Sequence, residues 1–228
     1  MIRKAVVLAA GIGKRLRPIT YTVPKVMVRI NKKPIVEYVI EKLKKVGIDE
    51  IALVVGYKKD VIKNFFGDSF VYIEQKEQLG TAHAIKVAKD FVKDENFVAI
   101  NGDIFFEDDL TEFVKMKPIT MGVFRVSDAS TYGRVIIKDD RVVDIVEKDG
   151  IHAPGVVNTG IYIFDKRIFD AIEKTRLSPR GEYEITDSIK ILIREGVEVK
   201  PYFLKGYWKD VGRVCDLEEV RNAISLIH

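Results

Sequence analysis

The sequence predicts an α/β fold, with a largely parallel sheet in the first half and a β-rich second half folded onto it. Two patterns carry this expectation. Up to about residue 105, short β-branched runs alternate with segments of helical periodicity, and such alternation implies right-handed βαβ crossovers and parallel pairing. After residue 117 strand-like runs crowd together with brief turns between them. The chain has 228 residues, 47% of them hydrophobic. A chain of this size buries about 70% of its extended-chain surface, enough for a sizeable core without disulfides or structural metal.

Lys4 to Ala9 reads as a buried strand, Ile35 to Val46 as a helix with apolar Ile35, Tyr38, Val39, Leu43 and Val46, and Ile51 to Val55 as a second strand. A helix near Asp60 to Phe66, a strand at Phe70 to Glu74, a helix from Thr81 to Val92 and a strand at Phe97 to Asn101 follow. In the second half Ile119 to Val126, Gly133 to Lys138, Arg141 to Glu147 and Asn158 to Phe164 read as strands, with Asp139-Asp140 as a hairpin turn. Helices are expected at Asp165 to Glu173, Tyr183 to Glu195 and Val214 to Ile227, with a strand at Val197 to Leu204. No internal repeat or low-complexity linker divides the two halves.

Composition excludes several functions. The basic start Met1-Ile2-Arg3-Lys4 leads into too short an apolar run for a signal peptide, because Gly11, Lys14 and Arg15 end it. No stretch approaches the roughly 18 to 20 apolar residues of a membrane span, so no membrane partner is expected. A net charge of +4, with cations and carboxylates interspersed, does not suggest nucleic acid as a partner. The single cysteine, Cys215, rules out an intrachain disulfide and leaves no zinc-ligand cluster, which fits a reducing cytoplasm.

The first strand runs directly into Leu8-Ala9-Ala10-Gly11-Ile12-Gly13-Lys14-Arg15-Leu16. Small residues there let backbone amides approach a phosphate, and Lys14, Arg15, Arg17 and Lys25 gather positive charge around the same loop. A dinucleotide fingerprint would need a third glycine where Leu16 stands, and a Walker loop would need a different spacing. A plain strand-to-helix turn would account for the glycines but not for the four cations.

The pattern Leu8-Ala9-Ala10-Gly11-x-Gly13-x-Arg15-Leu16-x-Pro18, then Pro24-Lys25-x-Met27 and Pro34, resembles the signature of sugar-1-phosphate nucleotidylyltransferases. Those enzymes join a nucleoside triphosphate to a sugar 1-phosphate and release pyrophosphate. The resemblance implies a doubly wound, mostly parallel, mixed sheet of Rossmann-like type, in a single domain over 1–228. Residues 1–117 would form the nucleotide-binding half and 118–228 the sugar-phosphate-binding half. It also implies that Leu8, Ala10, Gly11, Gly13 and Lys14 wrap the triphosphate while Arg15 and Lys25 hold its charge. Read alone, Lys25 is equally a solvated lysine after a proline kink.

Both glutamines of the chain fall in Gln75-Lys76-Glu77-Gln78-Leu79-Gly80-Thr81-Ala82-His83-Ala84, immediately after a strand. This stretch resembles uridylyl- and thymidylyltransferases, in which the residues matching Gln75 and Gly80 read the base, and Thr81 is a nucleotide-binding candidate with them. Uracil and thymine show an acceptor, a donor and an acceptor along one edge, which a carboxamide and a backbone amide can match. The alternative is a loop ending at a helix start, with Thr81 near the cap and both glutamines exposed. His83 lies in the same expected helix with no second histidine at i+4, so no chemistry is assigned to it.

Phe97 to Asn101, Gly102 and Asp103 deliver a carboxylate to the carboxyl end of a strand, where open α/β sheets place their sites. A second carboxylate, Asp210 in Gly206-Tyr207-Trp208-Lys209-Asp210, ends another apolar strand. Mg²⁺ is commonly held by one or two carboxylates plus substrate phosphates, and in the family aspartates in such segments bind the catalytic metal. Turn or cap roles for both aspartates stay open. On the sugar side Gly133, Glu147, Lys148 and Asn158 match family segments, with Glu147 taking sugar hydroxyls and Lys148 the phosphate. The family often has proline after Glu-Lys, where this chain has Asp149. Arg180 to Asp187 resembles thymidylyltransferase relatives, without an assigned role.

The expected activity is Mg²⁺-dependent nucleotidyl transfer from UTP or dTTP to a sugar 1-phosphate, with Arg15, Lys25, Asp103, Lys148 and Asp210 as catalytic residues and a homo-oligomer left open. A GTP-using mannose-1-phosphate guanylyltransferase, a dinucleotide oxidoreductase disfavoured by Leu16, and a non-catalytic nucleotide-sugar sensor are the rivals. The length also leads us to expect no C-terminal β-helix of the acyltransferase kind.

Overall fold

The computed structural model describes residues 2–147 and 150–227. Its centre is β1 (Lys4–Ala9), followed by a small hairpin of β2 (Arg29–Ile30) and β3 (Lys33–Pro34) that leads into α1 (Ile35–Lys45). Pro34 immediately precedes α1, Glu37 lies in its first turn and Lys42, Lys44 and Lys45 in its last, an arrangement that suits the helix dipole. Then come β4 (Glu50–Val55), α2 (Lys59–Phe66), β5 (Val71–Glu74), α3 (Thr81–Lys86), α4 (Lys89–Val92), β6 (Phe97–Asn101) and β7 (Ile104–Phe106). The second half adds β8 (Thr120–Val126), β9 (Gly133–Lys138), β10 (Arg141–Glu147), β11 (Gly155–Phe164), α5 (Arg167–Lys174), α6 (Ile185–Arg194), β12 (Lys200–Phe203), β13 (Trp208–Asp210) and α7 (Val214–Ile227).

The main sheet runs β10-β9-β11-β6-β1-β4-β5, with β8 pairing β11 and β12. It is mixed. β6, β1, β4 and β5 pair in parallel, whereas β11 joins β6, β8 and β9 in antiparallel fashion. β11 can serve all three because its register shifts between Asn158 and Tyr162. Asp139 and Asp140 both take positive φ in the turn between β9 and β10, as a two-residue hairpin of type I′ needs.

Strand alternation explains why both faces are covered. Ala5, Val7 and Ala9 of β1, with Leu53 and Val55 of β4, join a core that includes Val36, Val39, Ile40 and Leu43 of α1. Val6, Val54, Phe97 and Ala99 face the other way, onto Ala82 and Ile85 of α3, Ile168 and Ile172 of α5, and Ile189 of α6. The sheet is thus doubly wound, as expected. No helix among the described residues is long and apolar enough to cross a membrane.

Three local expectations are corrected. The helix expected over Thr81 to Val92 is two helices, because Ala88 N–H bonds the Ile85 carbonyl three residues back and tightens the turn between them. The helix expected from Tyr183 begins at Ile185, since the Tyr183 backbone is taken by Leu79 and Ala82. The strand expected to end at Asp210 is β13, but its partner β7 and the hairpin of β2 and β3 were not expected.

Candidate functional site

The parallel strands β1 and β6 end side by side, Leu8 opposite Asn101, and the loops leaving them open into a cleft of about 750 Å³. Every candidate residue among those described lines it: Leu8, Ala10, Gly11, Gly13, Lys14, Arg15, Lys25, Gln75, Gly80, Thr81, Asp103, Gly133, Glu147, Asn158 and Asp210. Lys148 and the adjacent Asp149 lie outside the described residues.

The loop after β1 is held open from below. The Gly13 carbonyl accepts from the Thr20 hydroxyl at 2.8 Å and from Leu16 N–H at 2.9 Å, and Leu16 is fully buried. Gly13 has φ +69°, and a Cβ there would lie 2.8 Å from Lys25 Cβ, so the loop packs directly on the lysine. Lys14 and Arg15 remain exposed at the rim, and Arg15 reaches the backbone of Gly212 on the opposite wall.

Asp103 follows β6 and Asp210 ends β13, two segments more than a hundred residues apart in sequence. The pairing of β13 with β7 sets Asp210 opposite Ile104, and Val211 N–H bonds the Asp103 carbonyl at 3.0 Å. The Lys25 ammonium lies between the two carboxylates, hydrogen-bonded to Asp103 Oδ2 and 3.4 Å from Asp210 Oδ1. Burial would depress the Lys25 pKa, but the charges of Asp103 and Asp210 outweigh it and hold the pKa above its ordinary value. Burial pushes the Asp210 carboxyl up, and the neighbouring Asp103 charge adds to the shift against the opposing pull of Lys25. Arg15 pulls on Asp210 in the same direction as Lys25 but more weakly, and the aspartate pair lines the cleft. Its hard oxygen donors, 21% and 37% exposed to the cleft, suit a divalent cation. Cys215, Asp216 and Glu219 also lie within ligand distance of one another, but the Asp216 carboxylate already caps the Gly212 and Arg213 N–H groups and pairs with Lys209.

Gln75 is 3% exposed, against the alternative in which both glutamines are exposed, whereas Gln78 is exposed as that alternative has it. Its Nε2 lies 3.1 Å from the Gly80 carbonyl and 3.0 Å from His83 Nδ1. Gly80 itself is clamped by the second half of the chain. Tyr183 N–H bonds the Leu79 carbonyl at 2.7 Å, and Ala82 N–H bonds the Tyr183 carbonyl at 2.9 Å. Thr81 caps a different helix from the one it begins, its hydroxyl accepting from Ile185 N–H at 2.9 Å. At φ +102° and ψ −179° Gly80 occupies a region open essentially to glycine alone, and a Cβ would stand 2.5 Å from the Tyr183 carbonyl oxygen. Gly80→Ala is therefore expected to destabilise by at least about 1 to 3 kcal/mol, or roughly 2 to 12 °C in Tm for a chain of this size. Differential scanning calorimetry checks this, and an unchanged Tm would contradict the clamp.

At the far end of the cleft Thr186 donates to Glu147 Oε1 at 2.7 Å, and Arg180 pairs with Glu184 at 2.8 Å and Glu147 at 3.5 Å. Glu147 is thus oriented by the segment whose role the sequence did not reveal. Burial pushes the Glu184 carboxyl up, against the Arg180 charge. The Gly133 Cα faces Glu147, with a Cβ there only 3.1 Å from Oε1. Asn158 is largely engaged within the protein, donating to the buried Tyr162 hydroxyl at 2.6 Å and accepting from Gly160 N–H at 3.0 Å.

The family model described as Nucleotidyl transferase matches residues 4–225. The chain is 46% identical over 218 residues to the bifunctional protein GlmU of Methanocaldococcus jannaschii, covering 94% of this chain and 52% of that protein. It is 36% identical to a glucose-1-phosphate thymidylyltransferase of Streptomyces antibioticus, covering 97% of this chain and 66% of that one. Its fold is similar to a crystal structure of UDP-glucose pyrophosphorylase complexed with UDP-glucose, with a TM-score of 0.88, 26% identity and full coverage of both chains. The chain spans about half the length of the GlmU protein and two thirds that of the thymidylyltransferase. With a family match over almost its whole length and a cleft lined by the motifs of that family, the chain belongs to the nucleotidyl transferases.

Proposed function

We propose that this chain transfers a nucleotidyl group from a pyrimidine nucleoside triphosphate, UTP or dTTP, to a sugar 1-phosphate in a Mg²⁺-dependent, cytoplasmic reaction. The observation that carries the reading is the convergence in one cleft of the glycine loop, the Lys25–Asp103–Asp210 cluster, the Gln75–Gly80 edge and Glu147. An oxygen of the sugar phosphate attacks the α-phosphorus in line, forming a new P–O bond as the bond to the β-phosphate oxygen breaks and pyrophosphate departs. The nucleophile is already an anion, so no protein base is required. Catalysis is the gathering of two polyanions in register and the neutralisation of their charge.

Within this reading the Gly11–Gly13 backbone and Lys14 cradle the triphosphate, and Arg15 and Lys25 oppose its charge. Asp103 and Asp210 would hold Mg²⁺, which when bound supplies further positive charge to the phosphates. Gln75 and the Gly80 N–H read the base, while Gly133, Glu147, Lys148 and Asn158 serve the sugar phosphate. Residues 1–117 carry most of the nucleotide contacts and 118–228 most of the sugar contacts, although Asp210 crosses that division. Pyrophosphate release measured with UTP, dTTP, CTP, ATP and GTP against glucose-, N-acetylglucosamine-, galactose- and mannose-1-phosphate tests the reading. Turnover confined to uracil or thymine triphosphates is expected; preference for GTP would overturn the base assignment.

A further inference from the structure

We propose that His83 sets the base selectivity of the cleft by locking the orientation of the Gln75 carboxamide. It is a positioning residue, and the inference rests on the pyrimidine reading above. A primary carboxamide has two nearly isosteric ends, one a double donor and the other an acceptor, and a half-turn exchanges them. The Gly80 carbonyl, 3.1 Å from Gln75 Nε2, can only accept, so it draws the nitrogen end to its side. The second hydrogen of the same nitrogen points to His83 Nδ1 at 3.0 Å. That contact is a hydrogen bond only when Nδ1 carries a lone pair, which places the ring proton on Nε2.

With both hydrogens engaged, Oε1 is the end of the carboxamide left for a ligand, and Gln75 is a cleft-lining residue. An acceptor there matches the N3–H donor of uracil or thymine. It opposes the N3 lone pair of cytosine, which would require the carboxamide to turn over. Turning it would set Oε1 against the Gly80 carbonyl and, unless the ring proton also moved from Nε2, against His83 Nδ1, and that mismatch together with the tautomer change is the source of selectivity. His83 lies on the first turns of α3 between the buried Ala82 and Ala84, so the helix fixes its position relative to Gln75.

The test compares kcat/KM for UTP and CTP in wild-type protein, His83→Leu and His83→Asn. Leucine removes the acceptor, and the UTP-to-CTP preference is expected to fall by about tenfold. Asparagine offers an acceptor near the position of Nδ1, and the preference is expected to return to within about threefold of wild type. Equal loss of both activities in His83→Leu, with the ratio unchanged, would overturn the inference and leave the pyrimidine reading standing. A wild-type protein that prefers GTP or ATP to both pyrimidines would overturn that reading and this inference with it. Long-range ¹⁵N NMR of the wild-type protein with its histidines neutral supplies a readout independent of folding of the variants. The proton is expected on Nε2 of His83, and a proton on Nδ1 would overturn the lock.

Discussion

Lys25→Ala is expected to lower turnover by about 10² to 10³, the usual scale for losing one preorganised electrostatic donor. The lysine is 12% exposed, its stem is packed against the glycine loop, and its ammonium sits between two carboxylates at the cleft floor. A pair of unit charges about 4 Å apart interacts by roughly 4 kcal/mol at an effective dielectric near 20, so an unopposed negative charge in this cluster is costly. The reaction proposed above brings a triphosphate and a sugar phosphate to the same place. Removing the cation held between the two carboxylates leaves the approach of these anions with less compensation at the moment of transfer. The check is steady-state kinetics at saturating substrates alongside a thermal melt. A loss of only a few-fold, with the fold intact, would return Lys25 to the status of a solvated lysine.

Asp103→Asn is expected to reduce turnover on a similar scale and to raise the Mg²⁺ concentration for half-maximal rate by at least about tenfold, a change seen even when an outer partner of a metal site is lost. Asparagine preserves the shape of the side chain and removes its charge. It also takes from Lys25 its hydrogen-bonded counter-ion, so both the metal site and the lysine are weakened by one substitution. A Mg²⁺ titration of initial rates separates these effects. An unchanged half-maximal concentration with a reduced maximum would take Asp103 out of the metal site and leave it as the anchor of Lys25.

The alternation of short apolar runs with helical periods was sufficient to place the parallel strands, because a continuous run such as Ala5 to Ala9 marks a strand buried on both faces. Strand-end positions such as Asp103 were legible for the same reason. Local patterns fail where distant backbone intervenes. Tyr183 continues an apolar helical stripe, yet its N–H and carbonyl are bound to Leu79 and Ala82 about a hundred residues earlier, which holds it out of the helix. The strand ending at Asp210 was legible as an apolar run, but β7 is too brief to show a period, and it is the pairing of the two that brings Asp210 to Asp103. The motif around Gln75 pointed to the base, but its burial and the His83 contact did not follow from spacing. The test for a second histidine at i+4 asks about metal ligation, whereas the role inferred here needs one ring nitrogen beside one carboxamide.

Nucleotidyl transfer between two substrates in one cleft is read by ³¹P NMR of a reaction containing Mg²⁺, UTP or dTTP and a sugar 1-phosphate. Equimolar appearance of pyrophosphate and of the paired doublets of a nucleoside diphosphate sugar is expected, with the sugar 1-phosphate consumed in step. Pyrophosphate or nucleoside monophosphate released without consumption of any of the four sugar phosphates, or no change in any resonance, would contradict it.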